Sequence, residues 1–149
     1  MSYVESVIQP GETLLATGKT HWFVYVGPGF WILVAAVLLV VAPWIIGAVL
    51  AVLALIYLAK AWLYSFSTEL AVTSKRVIAK FGFIRRSTVE LRHDKVESMQ
   101  VEQSILGRIF DFGSIVITGS GGTHAPIPYI AHPLQFRSVA LAGIESKQI

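Results

Sequence analysis

The residue types that carry most protein chemistry are thin in this sequence. Cysteine is absent, which removes disulfides, thiolate metal sites and thiol nucleophiles. The histidines are His21, His93, His124 and His132. None is spaced as a helical pair of metal ligands, so single interfacial or turn histidines fit the pattern. Glu90, Asp94, Glu97, Glu102 and Asp111 are scattered, with no spacing that promises a carboxylate dyad. "VIAK" (Val77 to Lys80) and "DFG" (Asp111 to Gly113) share letters with protein-kinase motifs. No glycine-rich loop precedes them and no HRD lies between, and a kinase needs all these parts together. "GSGG" (Gly119 to Gly122) lacks a following Lys-Ser or Lys-Thr and reads as a hairpin turn. With no nucleophile, base, metal site or cofactor site to name, the expected protein is not an enzyme and carries no cofactor.

One stretch does carry concentrated charge. "TSKRVIAKFGFIRRST" (Thr73 to Thr88) holds Lys75, Arg76, Lys80, Arg85 and Arg86 and no acid. Arg76, Lys80, Arg85 and Arg86 form the candidate surface for lipid or a partner. Strand alternation places Arg76, Lys80, Arg86 and Thr88 on one face, with Ile78 and Arg85 fitting that register poorly. An anionic lipid surface, an acidic protein partner and a plain solvated hairpin all remain open. Nucleic acid ranks last. The net charge is only +3, and Asp94, Glu97, Glu102 and Asp111 break up any long basic track.

The elements that would position this surface begin with a membrane segment. From Trp22 to Ala59, 38 consecutive residues carry no Asp, Glu, Lys or Arg. A bilayer core about 30 Å thick takes about 20 helical residues, so this run suits two spans. They are predicted as Trp22 to Val41 and Trp44 to Trp62, broken at "VAPWIIG", where Pro43 suits a helix start. Pro28, inside span one, predicts a kink. Gly47 and Ala51 form a small-xxx-small pair, the candidate helix-packing site, either for the hairpin itself or for an oligomer. The run Trp22 to Ala59 holds no Asp, Glu, Lys, Arg or His, and Lys60 falls in the last turn of the second span, which argues against a transporter or channel. Lys19, Lys60, Lys75, Arg76 and Lys80 flank the spans and the loop between them has no basic residue. That bias places both termini in the cytoplasm.

Beyond Ser65, short runs rich in Val, Ile, Thr and Phe alternate with turn residues. Strands are predicted at Phe66–Val72, Arg76–Phe81, Arg85–Leu91, Lys95–Glu102, Ser114–Thr118 and Ala125–Ile130. A three-residue turn at Phe81–Phe83 would join the second and third. "SILGRIF" (Ser104 to Phe110) reads as a short helical turn. Phe136, Val139, Ala140, Gly143 and Ile144 mark one face of a C-terminal helix that starts at Pro133. The chain thus divides into an N-terminal segment (1–21), a two-helix transmembrane hairpin (22–64) and a mostly β domain (65–149).

The whole chain resembles the membrane-anchored bacterial pleckstrin-homology-like (PH-like) family. The resemblance is carried by "QPGETLL" (Gln9 to Leu15) with His21, "TSKRVI" (Thr73 to Ile78) and "GFIRRS" (Gly82 to Ser87). It continues through "DKVESMQVEQSILGRIFDFGSIVI" (Asp94 to Ile117) and the closing "HPLQFR". It implies an α+β, mostly β fold: a PH-like antiparallel barrel or sandwich of six to seven strands with a C-terminal capping helix. It also implies a non-enzymatic module. The expected function is that of an inner-membrane adaptor or scaffold, whose domain binds a protein partner or its own copies. A structural subunit of a larger membrane complex and an anionic-lipid headgroup module are the alternatives.

Overall fold

The computed structural model describes residues 3–82, 87–122 and 124–146. Two compact units emerge: Met1–His21 together with Ser67–Ile149, and Trp22–Phe66. The three consecutive segments expected from sequence are therefore two, because the N-terminal residues fold into the β domain.

That domain starts with a short helix, α1 (Tyr3–Val7), and a strand, β1 (Leu14–Gly18). After the helical unit come β2 (Glu69–Thr73), β3 (Arg76–Phe81) and β4 (Ser87–Arg92). A 3-10 turn at His93–Lys95 leads to β5 (Val96–Glu102). In the helical unit, α2 (Val26–Val41) follows a 3-10 turn at Trp22–Tyr25, and α3 spans Trp44–Ser67. The chain ends with α4 (Ile105–Phe110), β6 (Phe112–Gly119), β7 (His124–Ala131) and α5 (Pro133–Glu145).

The strands form two antiparallel sheets, ordered β1-β2-β3-β4 and β5-β6-β7. An isolated bridge, Thr20 to Ile130, links them at one corner. The ladders remain split four and three, so the barrel form of the expected fold is not closed. Alternation explains the core. Leu70 and Val72 on β2, Val77 and Ala79 on β3, Met99 on β5, Ile115 and Ile117 on β6 and Ile127 on β7 all join one buried cluster. Phe136 and Ala140 of α5 complete it. The spacing of Phe136, Ala140 and Ile144 puts one helical stripe onto the sheets. Val139 was expected on that stripe but is exposed.

Other sequence expectations need correction. β1 was not foreseen. It pairs with β2 over Leu14↔Thr73 to Gly18↔Leu70, so the whole helical unit is an insertion between two neighbouring strands. The first expected strand starts later, because nothing between Trp62 and Ser67 interrupts α3. The last β3–β4 pair is Phe81↔Ser87, so the connection is residues 82–86 rather than three residues.

Within the helical unit, Pro28 lies in the first turn of α2 rather than at a mid-helix kink. First-turn N–H groups have no intrahelical acceptor, so proline costs no bond there. Gly47 packs against the α2 backbone: a Cβ there would sit 2.6 Å from Leu39 N. The buried residues of α3 are Gly47, Ala54 and Ala61, seven apart, which brings small side chains to one stripe. Ala51, the expected partner of Gly47, is half-buried. Most other side chains on both helices are large, apolar and exposed. Both helices are long and apolar enough to cross a membrane.

Candidate functional site

Arg76 opens β3 directly after the β2–β3 turn, and its neighbours consume it. Its Nε donates to Glu12 Oε1 at 3.2 Å and its Nη2 to Glu12 Oε2 at 3.3 Å. Nη1 donates to Glu90 Oε2 at 2.7 Å and Nη2 also to the Val7 carbonyl at 2.9 Å. These contacts engage four of the five guanidinium N–H groups. The Glu12 side chain is fully buried. It also accepts from Thr73 Oγ1 at 2.5 Å and from the Gln9 N–H at 2.9 Å. Burial pushes the Glu12 carboxyl up. The hydrogen bonds from Gln9, Thr73 and Arg76, with the Arg76 charge, outweigh it and hold the carboxyl below its ordinary value. Thr73 Oγ1 in turn accepts from the Lys75 and Arg76 N–H groups and sets the turn. This is a staple that joins the N-terminal segment to β3, not an open anion site.

The rest of the expected basic face is also altered. Lys80 stands opposite Glu69 and Thr88 in the ladder, at the other end of β3 from Arg76. Four residues of strand separate the two by about 13 Å. Ile78 lies between them on the same face, and it is 0% exposed. Ala71, beside it on β2, is equally buried. The helix α1 accounts for this cover. Val4 is buried, its N–H donates to Glu69 Oε2 at 3.2 Å, and the Val7 carbonyl takes the bond from Arg76. Arg85 and Arg86 lie outside the described residues. Arg76 and Lys80 thus share a face without sharing a site.

A cleft of about 570 Å³ opens at the Arg76 end, lined by Lys75, Arg92, His93 and Asp94 among others. Arg92 and Asp94 pair with each other at 3.3 Å, both exposed. One acid, Asp94, thus stands among Lys75, Arg76 and Arg92 in the lining.

The opposite end of the domain is built differently. There the chain leaves β1 through Lys19, Thr20 and His21. The Lys19 carbonyl accepts from Ala131 N–H at 2.9 Å, and His21 N–H donates to the Tyr129 carbonyl at 2.6 Å. The His21 ring stacks on Phe112 at 5.4 Å, and Phe112 stacks on Tyr129 at 6.0 Å. Burial, with His132 nearby, lowers the His21 pKa, and Asp111 opposes that shift. His132 Nδ1 and Asp111 Oδ2 are 2.5 Å apart. Asp111, Tyr129 and His132 all have positive φ, near 58°, 58° and 49°. Three left-handed non-glycine residues at one corner are uncommon, and such backbone holds only where its surroundings dictate it.

The same corner presents α4. Ser104 Oγ caps it by accepting from Gly107 N–H at 3.1 Å, and Asp111 ends it in the left-handed conformation. Gln103 Nε2 donates to the Gly107 and Phe112 carbonyls at 3.3 and 3.1 Å. Gly107 is the one buried residue of the helix. A Cβ there would lie 2.5 Å from the Phe112 carbonyl oxygen, so only glycine allows the approach. The remaining apolar side chains point outward: Ile105 is 79% exposed, Ile109 68%, Leu106 50% and Phe110 42%. A surface helix ordinarily buries its apolar stripe; this one does the reverse. Beside it, Glu102, Gln103, Phe112, Gly113, Pro128 and Tyr129 line a hollow of about 430 Å³. "DFG" thus serves as a helix end and strand start.

Sequence reasoning missed this surface, having read "SILGRIF" only as a connection. Its signal was four large apolar residues among six, with a single glycine left to pack. Among the described residues no group of His, Asp and Glu is placed to hold a metal ion. Neither curated proteins nor solved structures show a significant match to the chain. The family described as Bacterial PH domain matches residues 23–142. That span includes both apolar helices, the sheets from β2 onward and most of α5, and the chain belongs to the Bacterial PH domain family.

Proposed function

We propose that this protein is a non-enzymatic, membrane-anchored adaptor of the bacterial inner membrane. Its two apolar helices span the bilayer as a hairpin, both termini face the cytoplasm, and the PH-like domain binds a protein partner or its own copies there. The observation that supports this most is the place of the insertion. Gly18 and Leu70 are ladder partners, yet both apolar helices lie between them in sequence. The domain is thus held by two covalent links that leave from one end of one sheet. Lys19 before the first helix and Lys60 two turns before the end of α3, with no basic residue between the helices, support the cytoplasmic orientation.

The alternatives lose part of their basis. A headgroup site on the basic stretch would have to manage without Arg76, whose guanidinium is engaged by Glu12, Glu90 and Val7. A subunit held in a complex through Gly47 would need a surface that Leu39 already occupies.

The test is gentle extraction of the full chain from native membranes, followed by mass spectrometry and light scattering. A stoichiometric companion protein or a defined multimer is expected. A lone monomer in every mild detergent would remove the adaptor reading. The absence of native cysteine permits a topology test in the same cells. Ala42→Cys should react with an impermeant thiol reagent in intact cells, and Ser120→Cys only after permeabilisation.

A further inference from the structure

We propose that α4 is a bilayer-contact element, with Ile105, Leu106, Ile109 and Phe110 seated in the lipid interface. This rests on the membrane reading of the two apolar helices and adds to it a second point of lipid contact, made by the domain itself.

Three observations converge on lipid as the occupant. The first is exposure. Four large apolar side chains on a six-residue helix face outward, while soluble surfaces keep such clusters small. The second is rigidity. Ser104, Gln103, Gly107 and the left-handed Asp111 hold α4 in place, so the apolar side chains are presented by a built support. The third is continuity. Phe112, two residues after Phe110, stacks on His21. His21 directly precedes Trp22, the first residue of the first candidate span. Consecutive Cα atoms are about 3.8 Å apart, so α4 emerges at the end of the domain from which the chain passes to the apolar helices.

The charge pattern agrees. Arg108 is the one ionisable residue within α4; the exposed acids Glu102 and Asp111 lie just outside its ends. Apolar side chains with a lone cation suit the interfacial zone, where a long basic side chain reaches the phosphates while its neighbours enter the acyl boundary.

The experiment uses the full chain in proteoliposomes, with one cysteine at a time carrying an environment-sensitive fluorophore. Ile109→Cys reports on α4. Leu53→Cys, exposed on α3, reports on the span. Ser120→Cys, in the β6–β7 turn at the far end of β6 from Phe112, is the aqueous control. Quenching is measured with lipids brominated on their acyl chains and with aqueous iodide. The proposal expects bromolipid to quench Leu53 and Ile109 and leave Ser120 unaffected, and iodide to quench Ser120 several-fold more than Ile109. If Leu53 is quenched by bromolipid but Ile109 responds only to iodide, the span stands and the α4 proposal falls. If Ile109 is shielded from both quenchers, and dilution into excess lipid restores iodide quenching, a second copy covers α4 and the lipid assignment is overturned. If Leu53 itself escapes bromolipid, the membrane reading fails and takes this proposal with it.

Discussion

The two ends of the β domain invert each other. At one end, the first arginine of the basic stretch is neutralised from within. Glu12, Glu90 and the Val7 carbonyl take its N–H groups, and Thr73 and Gln9 complete the buried carboxylate. At the other end, the short helix that looked like filler displays its apolar side chains, while glycine makes its packing contact. At Arg76, charge in the sequence is therefore a poor guide to an open basic surface. A basic residue surrounded by acceptors has already spent its donors, whereas Ile105, Leu106 and Ile109 stand largely exposed on a capped, glycine-anchored helix.

The largest expected effect comes from removing the N-terminal segment. A fragment of residues 65–149 lacks β1, Glu12 and α1, which exposes the β2 edge and leaves Arg76 without its buried partner. It should show no cooperative thermal transition. Residues 1–21 joined to 67–149 through a short glycine–serine linker should melt cooperatively, because Gly18 and Leu70 are already neighbours. A cooperative 65–149 fragment would mean that the staple is dispensable.

Next comes Glu12→Ala, which strands Arg76 and Thr73. Breaking a buried pair from one side costs about 3 kcal/mol or more, read as a lower denaturation midpoint. Its pH dependence has a definite sign. The folded-state carboxyl of Glu12 lies below its ordinary value of 4.5, so its contribution is complete above that pH. As pH falls through the folded value, the unfolded chain has already gained the proton and the contribution is lost. Glu12→Gln should flatten this part of the acid limb, and an unchanged limb would remove Glu12 from the account.

The smallest effect sharpens the contrast. Ile109→Ser in detergent should change stability by no more than about 0.5 kcal/mol, as for an exposed site without packing partners. A clearly destabilised variant would show that Ile109 packs within the domain, and the two ends would no longer differ in kind.

The parts of this fold that were legible in sequence are the local ones. The helical hairpin follows from a long charge-free run, and its break from Pro43. β3, β5, β6 and β7 follow from alternation and their bounding turns, and α5 from its period. What escaped was non-local. β1 is short, and its partner lies on the far side of two helices. The Arg76–Glu12 pair joins residues 64 apart, so no spacing rule could propose it. Nor could strand alternation reveal that α1 covers the face shared by Arg76, Ile78 and Lys80. On α4, six residues are too few for a period to tell which side is buried. That followed only from the contact between Gly107 and the Phe112 carbonyl.

The insertion of two helices between paired strands also sets an order of events during synthesis. The ribosome delivers β1 first and β2 about fifty residues later, on the order of several seconds at ~5–20 residues per second. Until then the four-stranded sheet cannot assemble, and the Glu12 carboxylate has no arginine to meet. Both apolar helices are thus made before the strands on either side of them can pair. On the proposed membrane reading, a defect in inserting those helices would therefore surface as a protease-sensitive β domain, far from the residues at fault.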